Sequence, residues 1–409
     1  MNLQQRFKLL DKLLNDNRQW WQFAAFHHIE SRWQTLAPEL YLELKKAQAS
    51  KAEALEQQTD RSMKFSGVEL ASYIPDLSDI QHLCQVTKNY QQSKAPTSHW
   101  QYQIAGRKWS QITRFAPHVP LKQSIVEWCS GKGHLGRLAA SHGAVSLLSL
   151  DWQQALCEKN QELNHRLKIQ QHYCPTQVEH CDVMSENISQ HLNQQQFPIA
   201  LHACGDLHIQ LVKQVIKHNM NGLCLAPCCY NLIATECYRP LSKLAKSSRL
   251  SLSKLDLSLP LKQITTAGQR ERREQSKEKL WRIAFDSWQR ETRAIDQYLP
   301  LPTIPKRILK ADFKSFIGWA SEQKNIRELL QQAESVDQQE ILKAAKTRLV
   351  NIEQMEWVQH HFQRAIEIWL LLDQALYLEE NGYQCEIFEF CELQFSPRNL
   401  MLKATRLDN

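Results

Sequence analysis

The stretch EWCSGKGHLGR, residues 127–137, decides the fold predicted for this chain. It places Gly131, Gly133 and Gly136 at the spacing G-x-G-x-x-G, although the 409-residue chain contains only 11 glycines. The short apolar run SIVEWC leads into the loop, and the helical pattern LGRLAASHG follows it. A strand, a glycine turn and a helix N-terminus together bring backbone close to a nucleotide. The stretch therefore predicts a nucleotide-binding strand–loop–helix unit.

The same alternation of strand and helix continues along the chain. Four later runs read as strands separated by helical patterns: AVSLLSLDW, VEHCDVM, PIALHACGD and NGLCLAPCCY. Near the end, YQCEIFEFCEL and LMLKATR form a strand pair around the turn SPRN. Strands alternating with helices are typical of a parallel sheet covered by helices on both faces. We therefore predict an α/β fold with a seven-stranded sheet, in which one strand is reversed.

Three regions are predicted around this sheet. Residues 1–95 read as an N-terminal helical region, residues 96–234 and 351–409 as the sheet domain, and residues 235–350 as a helical insert. Within residues 96–234, the alternating pattern of His99–Phe115 predicts a short hairpin.

The predicted insert is basic. Between Arg239 and Lys310 the sequence contains seventeen Lys and Arg residues but only seven Asp and Glu residues. Such a segment favours a surface that meets a polyanion, the alternative being a solvated helix surface. Trp281, Phe285 and Trp288 have helical spacing and predict one buried helix face.

The rest of the composition narrows the class of protein. The 12 cysteines are scattered without C-x-x-C pairs, and the N-terminus lacks a signal-peptide pattern. No apolar run reaches the roughly 20 residues that span a bilayer. We therefore expect a cytoplasmic protein with reduced thiols.

Acidic residues indicate which nucleotide the loop binds. Asp151 ends the second predicted strand, where it can accept hydrogen bonds from ribose hydroxyls of either NAD or S-adenosylmethionine. Glu127 would repel a pyrophosphate but can pair with the cationic amino end of a methionine moiety. Asp182 ends the third predicted strand, where it can accept from an adenine amino group. These acids and the closing strand pair favour S-adenosylmethionine over a dinucleotide.

The central motifs resemble those of class I S-adenosylmethionine-dependent methyltransferases, with their Rossmann-like seven-stranded sheet. The matching segments are Glu127–Arg137, Leu201–Leu207, Pro227–Leu232 and Ser396–Asn399. They are similar to one branch with CSGKGHLG-like, LHACGD-like and CCY motifs, which includes the eukaryotic tRNA 2′-O-methyltransferases of the acceptor stem. Cys129 stands where the common class I pattern has its first glycine.

The motifs and this resemblance together nominate site residues. The cofactor-binding candidates are Glu127, Cys129, Gly131, Gly133, His134, Asp151, Trp152, Asp182, Val183, His202 and Cys204. The substrate-binding candidates are Pro227, Cys228, Cys229 and Tyr230, since a proline and an aromatic ring can form a shelf for a planar acceptor. The catalytic candidates are Asp206, His202 and Tyr230.

Several of these roles have alternatives. Asp206 and His202 can accept a proton from the acceptor, but Asp206 can also cap the helix that starts at Leu207. Cys228 and Cys229 suggest zinc or a methyl-accepting thiolate. However, adjacent cysteines rarely bind one ion, so we predict no metal and small pocket-lining side chains.

The sequence thus predicts a methyltransferase that uses S-adenosylmethionine and acts on RNA, with tRNA as one candidate. Three alternatives remain open: a methyltransferase of proteins or small molecules, a module that binds the cofactor without turnover, and an NAD oxidoreductase.

Overall fold

The computed structural model describes residues 1–49, 65, 67–102, 104–262, 269–329 and 338–407. Its strands are β1 (Thr87–Lys88), β2 (Ser124–Trp128), β3 (Ser146–Asp151), β4 (Thr176–His180), β5 (Gln196–Cys204), β6 (Gly222–Cys228), β7 (Tyr383–Glu389) and β8 (Leu400–Arg406).

The α-helices are α1 (Leu3–Asp16), α2 (Arg18–Trp21), α3 (Trp33–Leu36), α4 (Pro38–Ala49), α5 (Leu77–Leu83), α6 (Gly106–Phe115), α7 (His134–Ala140), α8 (Gln154–Arg166), α9 (Ile169–His172), α10 (Asp206–Lys217), α11 (Lys243–Lys246), α12 (Lys254–Leu257), α13 (Gln269–Arg293), α14 (Lys306–Lys310), α15 (Phe313–Gln323), α16 (Gln338–His360) and α17 (Gln363–Glu379). Short 3₁₀ turns cover Ala25–His27, Leu70–Ser72, Ser98–Gln101, Ala116–His118, Glu186–His191, Leu259–Lys262 and Arg327–Leu329.

The sheet confirms the predicted α/β class. Within the described residues it has eight strands in the order β1-β7-β8-β6-β5-β2-β3-β4. Only β8 runs against its neighbours β6 and β7, as the predicted reversed strand requires. The strand beyond the predicted seven is the two-residue β1, which pairs in parallel with β7. Because β2 to β6 are all parallel, the loops that follow them meet at one carboxyl edge.

One sequence prediction is wrong. His99–Phe115 forms a 3₁₀ turn and helix α6 rather than a hairpin. Ile112 and Phe115 of α6 are buried with Leu138 of α7 and Phe197 of β5 in the core beneath the sheet. Trp109, Ile112 and Phe115 recur every three residues, which is a helical spacing that the alternation of aromatic and polar residues obscured.

Contacts between Cα atoms divide the chain into two compact units. The first unit contains Met1–Asn17, Asp79–Gln263 and Gln363–Asn409, and therefore holds the whole sheet. The second contains Arg18–Ser78 and Ile264–Phe362. Both units draw on residues before 96, and residues 235–263 of the predicted insert fold with the sheet.

In the first unit, the nearly fully buried helix α17 packs against β7 and β8. Phe7 of α1 lies against Trp369 of α17, with ring centroids 5.3 Å apart. Asp373 of α17 is buried and accepts hydrogen bonds from the Tyr238 hydroxyl and from the backbone N–H groups of Leu241 and Ser242. A buried carboxylate is stable only when its oxygens are satisfied in this way, so Asp373 fixes the segment that follows β6.

In the second unit, α13 and α16 form a helix pair with internal ion pairs. Asp286 accepts hydrogen bonds from Arg290 at 3.0 Å and from Arg348 at 2.7 Å, and all three side chains are buried. Trp281, Phe285 and Trp288 are buried, which confirms the predicted apolar face of α13. Arg290 of α13 and Arg348 of α16 are thus paired inside the unit, so part of the positive charge of these helices is neutralised internally.

Candidate functional site

The carboxyl edge of the sheet concentrates unusual backbone. Cys129 after β2, His202 within β5 and Cys229 after β6 have φ values of 53°, 65° and 48°. Left-handed backbone is unfavourable for residues with a side chain, by about 1–2 kcal/mol each. Three such residues at the ends of strands β2, β5 and β6 mark this edge as the candidate functional site.

The glycine loop lies at the centre of this edge. Gly131 donates its backbone N–H to Oδ2 of Asp151 at 2.7 Å, which joins the loop to the end of β3. Space in front of Gly131 is open, because a Cβ built there meets no atom within 4 Å. Gly133 has a φ of 69°, and a Cβ there would lie 2.2 Å from the Asn160 side chain. Glycine is therefore required at Gly133 by both the backbone and the packing.

Arg137 holds the loop from inside the protein. Its guanidinium donates to Asn160 and Asn164 of α8 and to the Lys132 carbonyl. It also donates to Nδ1 of His134 at 3.0 Å. Burial lowers the pKa of His134 to about 3, with a further contribution from Arg137. His134 is thus neutral at physiological pH, and its Nδ1 is occupied as an acceptor.

Glu127 carries a buried carboxyl group. Glu127 is only 4% exposed, and its Oε2 lies 3.4 Å from Oγ of Ser149. Burial raises its pKa to about 7, while the Gly136 N–H and the charge of Arg137 act in the opposite direction. A carboxylate in this position can hold a cationic group of a ligand, because such a partner would favour its ionised form.

The acids after β3 and β4 differ in exposure. Asp151 is buried, and its Oδ1 accepts the Gln153 N–H at 2.9 Å. Trp152 beside it is 68% exposed. Asp182 lies in the loop beyond β4, exposed, with Oδ1 accepting the Met184 N–H, while Val183 is buried. Asp151 and Asp182 can therefore accept hydrogen bonds from a ligand, while Trp152 and Val183 provide apolar surface beside them.

His202 is fixed in one tautomer by a residue that the sequence did not nominate. Gln111 donates its amide N–H to the Phe395 carbonyl at 2.6 Å, so its Oε1 faces His202 Nε2 at 2.6 Å. Nε2 must therefore carry the proton, which leaves the lone pair on Nδ1. Burial lowers the pKa of His202 to about 4, assisted by the charge of Arg398. His202 is consequently neutral at physiological pH.

Asp206 does not cap a helix as the alternative interpretation required. Helix α10 begins at Asp206 itself, with Gly205 as its N-cap. The Asp206 carboxylate instead accepts the Ala234 N–H at 2.7 Å. A Cβ on Gly205 would lie 1.8 Å from the Leu232 carbonyl oxygen, so the loop after β6 crosses directly over this glycine.

The PCCY motif divides between surface and interior. Pro227 and Cys228 are buried in β6, Cys229 is half-buried, and Tyr230 is only 2% exposed. The Tyr230 hydroxyl donates to Glu367 at 3.2 Å, and its ring contacts His208 edge-on. Tyr230 therefore packs inside the first unit.

Three thiols lie together at the ends of β5 and β6. The sulfurs of Cys204, Cys228 and Cys229 are all within 4.8 Å of one another, and the first two are 3.2 Å apart. Hydrogen bonding with Cys204 and Cys228 lowers the pKa of Cys229, whereas hydrogen bonding with Cys204 and Cys229 raises the pKa of Cys228. The three cysteines therefore share their protons as one group.

A cavity of about 520 Å³ lies near the opposite edge of the sheet. Its walls include the aromatic rings of Trp100, Tyr102 and Tyr173, and the cationic side chains of Arg166 and Lys168. Residues 167–173 precede β4, which pairs in parallel with β3, so the cavity lies at the amino edge. Strands of five to six residues separate the two edges by roughly 17–20 Å.

The nominated residues thus gather at one edge, except for Tyr230, whose side chain turns inward. Sequence reasoning missed Gln111, Arg137 and Arg398. Gln111 was hidden by the wrong hairpin prediction. Arg137 lies in the stretch 127–137, but no sequence pattern indicates that an arginine will be buried.

One comparison with known proteins identifies a class of domain. Residues 107–236 match a family model described as “Methyltransferase domain”, which is less than half of the chain. No curated protein matches the sequence. The matched segment contains the glycine loop, Asp151, Asp182 and His202–Tyr230, so the domain carries the described site.

Solved structures resemble the chain weakly. An rRNA methylase from Streptococcus thermophilus matches with 13% identity and a TM-score of 0.24, over 30% of this chain and 71% of that one. A coclaurine N-methyltransferase bound to N-methylheliamine and SAH matches with 8% identity and a TM-score of 0.26, over 99% of this chain and 95% of that one. Scores this low support no inference about this chain.

No described helix is long and apolar enough to cross a membrane.

Proposed function

We propose that this chain is a cytoplasmic S-adenosylmethionine-dependent methyltransferase that acts on RNA. The observation that carries the proposal is the coincidence of the methyltransferase-domain match with the acid-lined edge of the sheet. The match spans residues 107–236, and the same segment supplies Glu127, Asp151 and the open glycine loop. By its resemblance to acceptor-stem enzymes, tRNA is the first RNA to test.

The hydrogen-bond acceptors at this edge support the proposal of S-adenosylmethionine as the cofactor. Glu127 is a buried acid whose ionised form a cation would stabilise, and the amino group of the methionine moiety is such a cation. Asp151 has lone pairs left for ribose hydroxyls after accepting two backbone N–H groups. Asp182 and Val183 offer an acceptor and an apolar surface to adenine. Cys129, His134, Trp152 and Cys204 complete the proposed cofactor-binding set.

S-adenosylmethionine supplies an electrophilic methyl group, so this chain's residues mainly bind, orient and remove protons. His202 Nδ1 carries a free lone pair and can accept a proton from the acceptor. Asp206 already accepts the Ala234 N–H and therefore shapes the loop above the site. Pro227, Cys228 and Cys229 remain the proposed acceptor side. Since Tyr230 is buried, we leave it out of both the acceptor shelf and the catalytic set.

The RNA assignment rests on the cavity at the amino edge. Rings such as Trp100 and Tyr102 stack with bases, and the neighbouring Arg166 and Lys168 neutralise phosphates. A ligand that used both this cavity and the opposite edge would have to extend over roughly 17–20 Å, which favours a polymer over a small molecule. In the second unit, the exposed α14 residues Lys306, Arg307 and Lys310 are further candidates for phosphate contact.

Labelled S-adenosylmethionine tests the proposal. The protein is incubated with lysate from a strain that lacks it, and RNA, protein and small molecules are then separated. We expect label in RNA, no label with Asp151→Ala, and a yield that falls steeply with salt. The double variant Arg166→Ser/Lys168→Ser should raise KM for RNA while leaving the affinity for S-adenosylhomocysteine unchanged.

Other outcomes decide between the alternatives. Label confined to protein or small molecules would contradict the RNA substrate but keep the enzyme class. Binding of S-adenosylhomocysteine without transfer to any fraction would indicate a module without turnover. A melting shift with NAD and none with S-adenosylhomocysteine would contradict the cofactor.

A further inference from the structure

The thiol group of Cys204, Cys228 and Cys229 is built by two separate features of the backbone. Cys204 and Cys228 are direct partners across the parallel pair β5–β6, which brings their sulfurs together. The register of β5 shifts between Leu201 and Cys204, at a bulge that contains the left-handed His202. Bulges of this kind re-aim a side chain next to a functional site.

The second feature concerns the adjacent cysteines. In an extended strand, successive side chains point to opposite faces, so Cys228 and Cys229 would normally be kept apart. Cys229 instead has a φ of 48°, and its sulfur lies within 4.8 Å of both other sulfurs. The left-handed backbone at Cys229 thus brings the two neighbouring sulfurs to the same side, where both can bind one ion.

We propose that Cys204, Cys228 and Cys229 form a site for one thiophilic divalent cation, Zn²⁺ in the cell. Zinc–sulfur bonds of about 2.3 Å in tetrahedral geometry place neighbouring sulfurs about 3.8 Å apart. The observed separations, from 3.2 Å up to at most 4.8 Å, bracket that value. Small shifts of the half-buried Cys204 and Cys229 side chains towards the buried Cys228 are sufficient to bind the ion.

The surroundings suit a thiolate–zinc group. Loading forms three zinc–sulfur bonds, and each thiol that is still protonated releases its proton to solvent. Three thiolates with one dication carry a net charge of −1, and Arg398 interacts electrostatically with both Cys204 and Cys229. The Arg398 Nε is buried and finds no hydrogen-bond partner among the described residues.

Three protein ligands leave one position of the ion open. Structural zinc sites are closed by four protein ligands, whereas sites with three protein ligands hold water or substrate in the fourth position. Cys204 and Cys229 are half-buried, so solvent or a ligand can reach the group. The ion would therefore bind on the proposed acceptor side, but its binding does not depend on the proposed methyl transfer.

Metal analysis of the purified chain tests the site. The protein is isolated under reducing conditions, freed of any metal-binding tag, loaded with Zn²⁺, dialysed and analysed by inductively coupled plasma mass spectrometry. We expect about one zinc per chain in the wild type, and none above the buffer blank in Cys204→Ser or Cys229→Ser. Co²⁺ loaded in place of zinc should give a thiolate charge-transfer band.

Cys224→Ser is the matched control, because Cys224 is a buried thiol on the same strand β6 but outside the group. It should retain one zinc. Circular dichroism spectra and a cooperative melting transition show independently that each variant is folded. Zinc absent from the wild type, zinc kept in both serine variants, or a Cys204–Cys228 disulfide in the reduced preparation would overturn the proposal.

Discussion

Replacing Glu127 with glutamine should stabilise the ligand-free protein in a pH-dependent way. Burial raises the pKa of Glu127 from 4.5 to about 7. The folded state thus holds this proton more tightly than the unfolded state, and wild-type stability falls as pH rises from about 4.5 to about 7. The ionisation of Glu127 lowers the free energy of unfolding by about 3 kcal/mol at pH 8 but only about 1 kcal/mol at pH 5.

Glutamine does not titrate, and any constant effect of the amide cancels between two pH values. The difference in unfolding free energy between Glu127→Gln and wild type should therefore be about 2 kcal/mol larger at pH 8 than at pH 5. Urea unfolding followed by circular dichroism measures this at both pH values. Glu158→Gln, at an exposed position of α8, is the matched control and should show no such difference.

The same substitution should affect the methyl donor in the opposite direction. Only ionised Glu127 pairs with an ammonium group, so wild-type affinity for S-adenosylhomocysteine should fall towards tenfold per pH unit below about 7. The affinity of Glu127→Gln should be weaker and nearly flat with pH. Calorimetry between pH 5 and pH 8 measures both curves. A stability difference equal at pH 5 and pH 8, or an unchanged affinity, would refute the role assigned to this carboxylate.

Three further predictions concern the same edge. Asp151→Ala removes a charged acceptor and should weaken S-adenosylhomocysteine binding at least tenfold by calorimetry; unchanged binding would contradict the assignment. Gly133→Ala forces a Cβ against Asn160 and should lower the free energy of unfolding by about 1–3 kcal/mol in urea, and equal stability would argue against the packing. Gln111→Glu should raise the pKa of His202 from about 4, so that its NMR signals titrate at higher pH in the variant than in the wild type, and an unchanged titration would contradict the contact.

The sheet was predictable because its determinants are local. Apolar runs of strand length recur from Ser124 to Tyr230 and predicted the class, and the closing strand pair around SPRN predicted the reversed strand. The helix Gly106–Phe115 was not predicted, because the spacing of its apolar residues fits both the alternation of a strand and the period of a helix. Only their burial in the core decides between the two.

The site was predictable in position but less so in detail. The acids and glycines follow strands and therefore had to meet at one edge. The partners that set their protonation come from distant segments, as Gln111 does for His202 across 91 residues of sequence. The convergence of Cys229 with Cys204 depends on a left-handed backbone that no sequence pattern reveals.

The left-handed residues at the ends of β2, β5 and β6 give these positions an unusual mutational profile. Glycine adopts that backbone without penalty, so Cys129→Gly, His202→Gly and Cys229→Gly should each be tolerated by the fold, or even favoured, by about 1 kcal/mol. Elsewhere in a core, removing a side chain usually lowers stability and activity together. At these three positions, a glycine substitution should lower activity without lowering stability. A mutational scan that measures both protein abundance and activity would therefore identify the side chains needed for function.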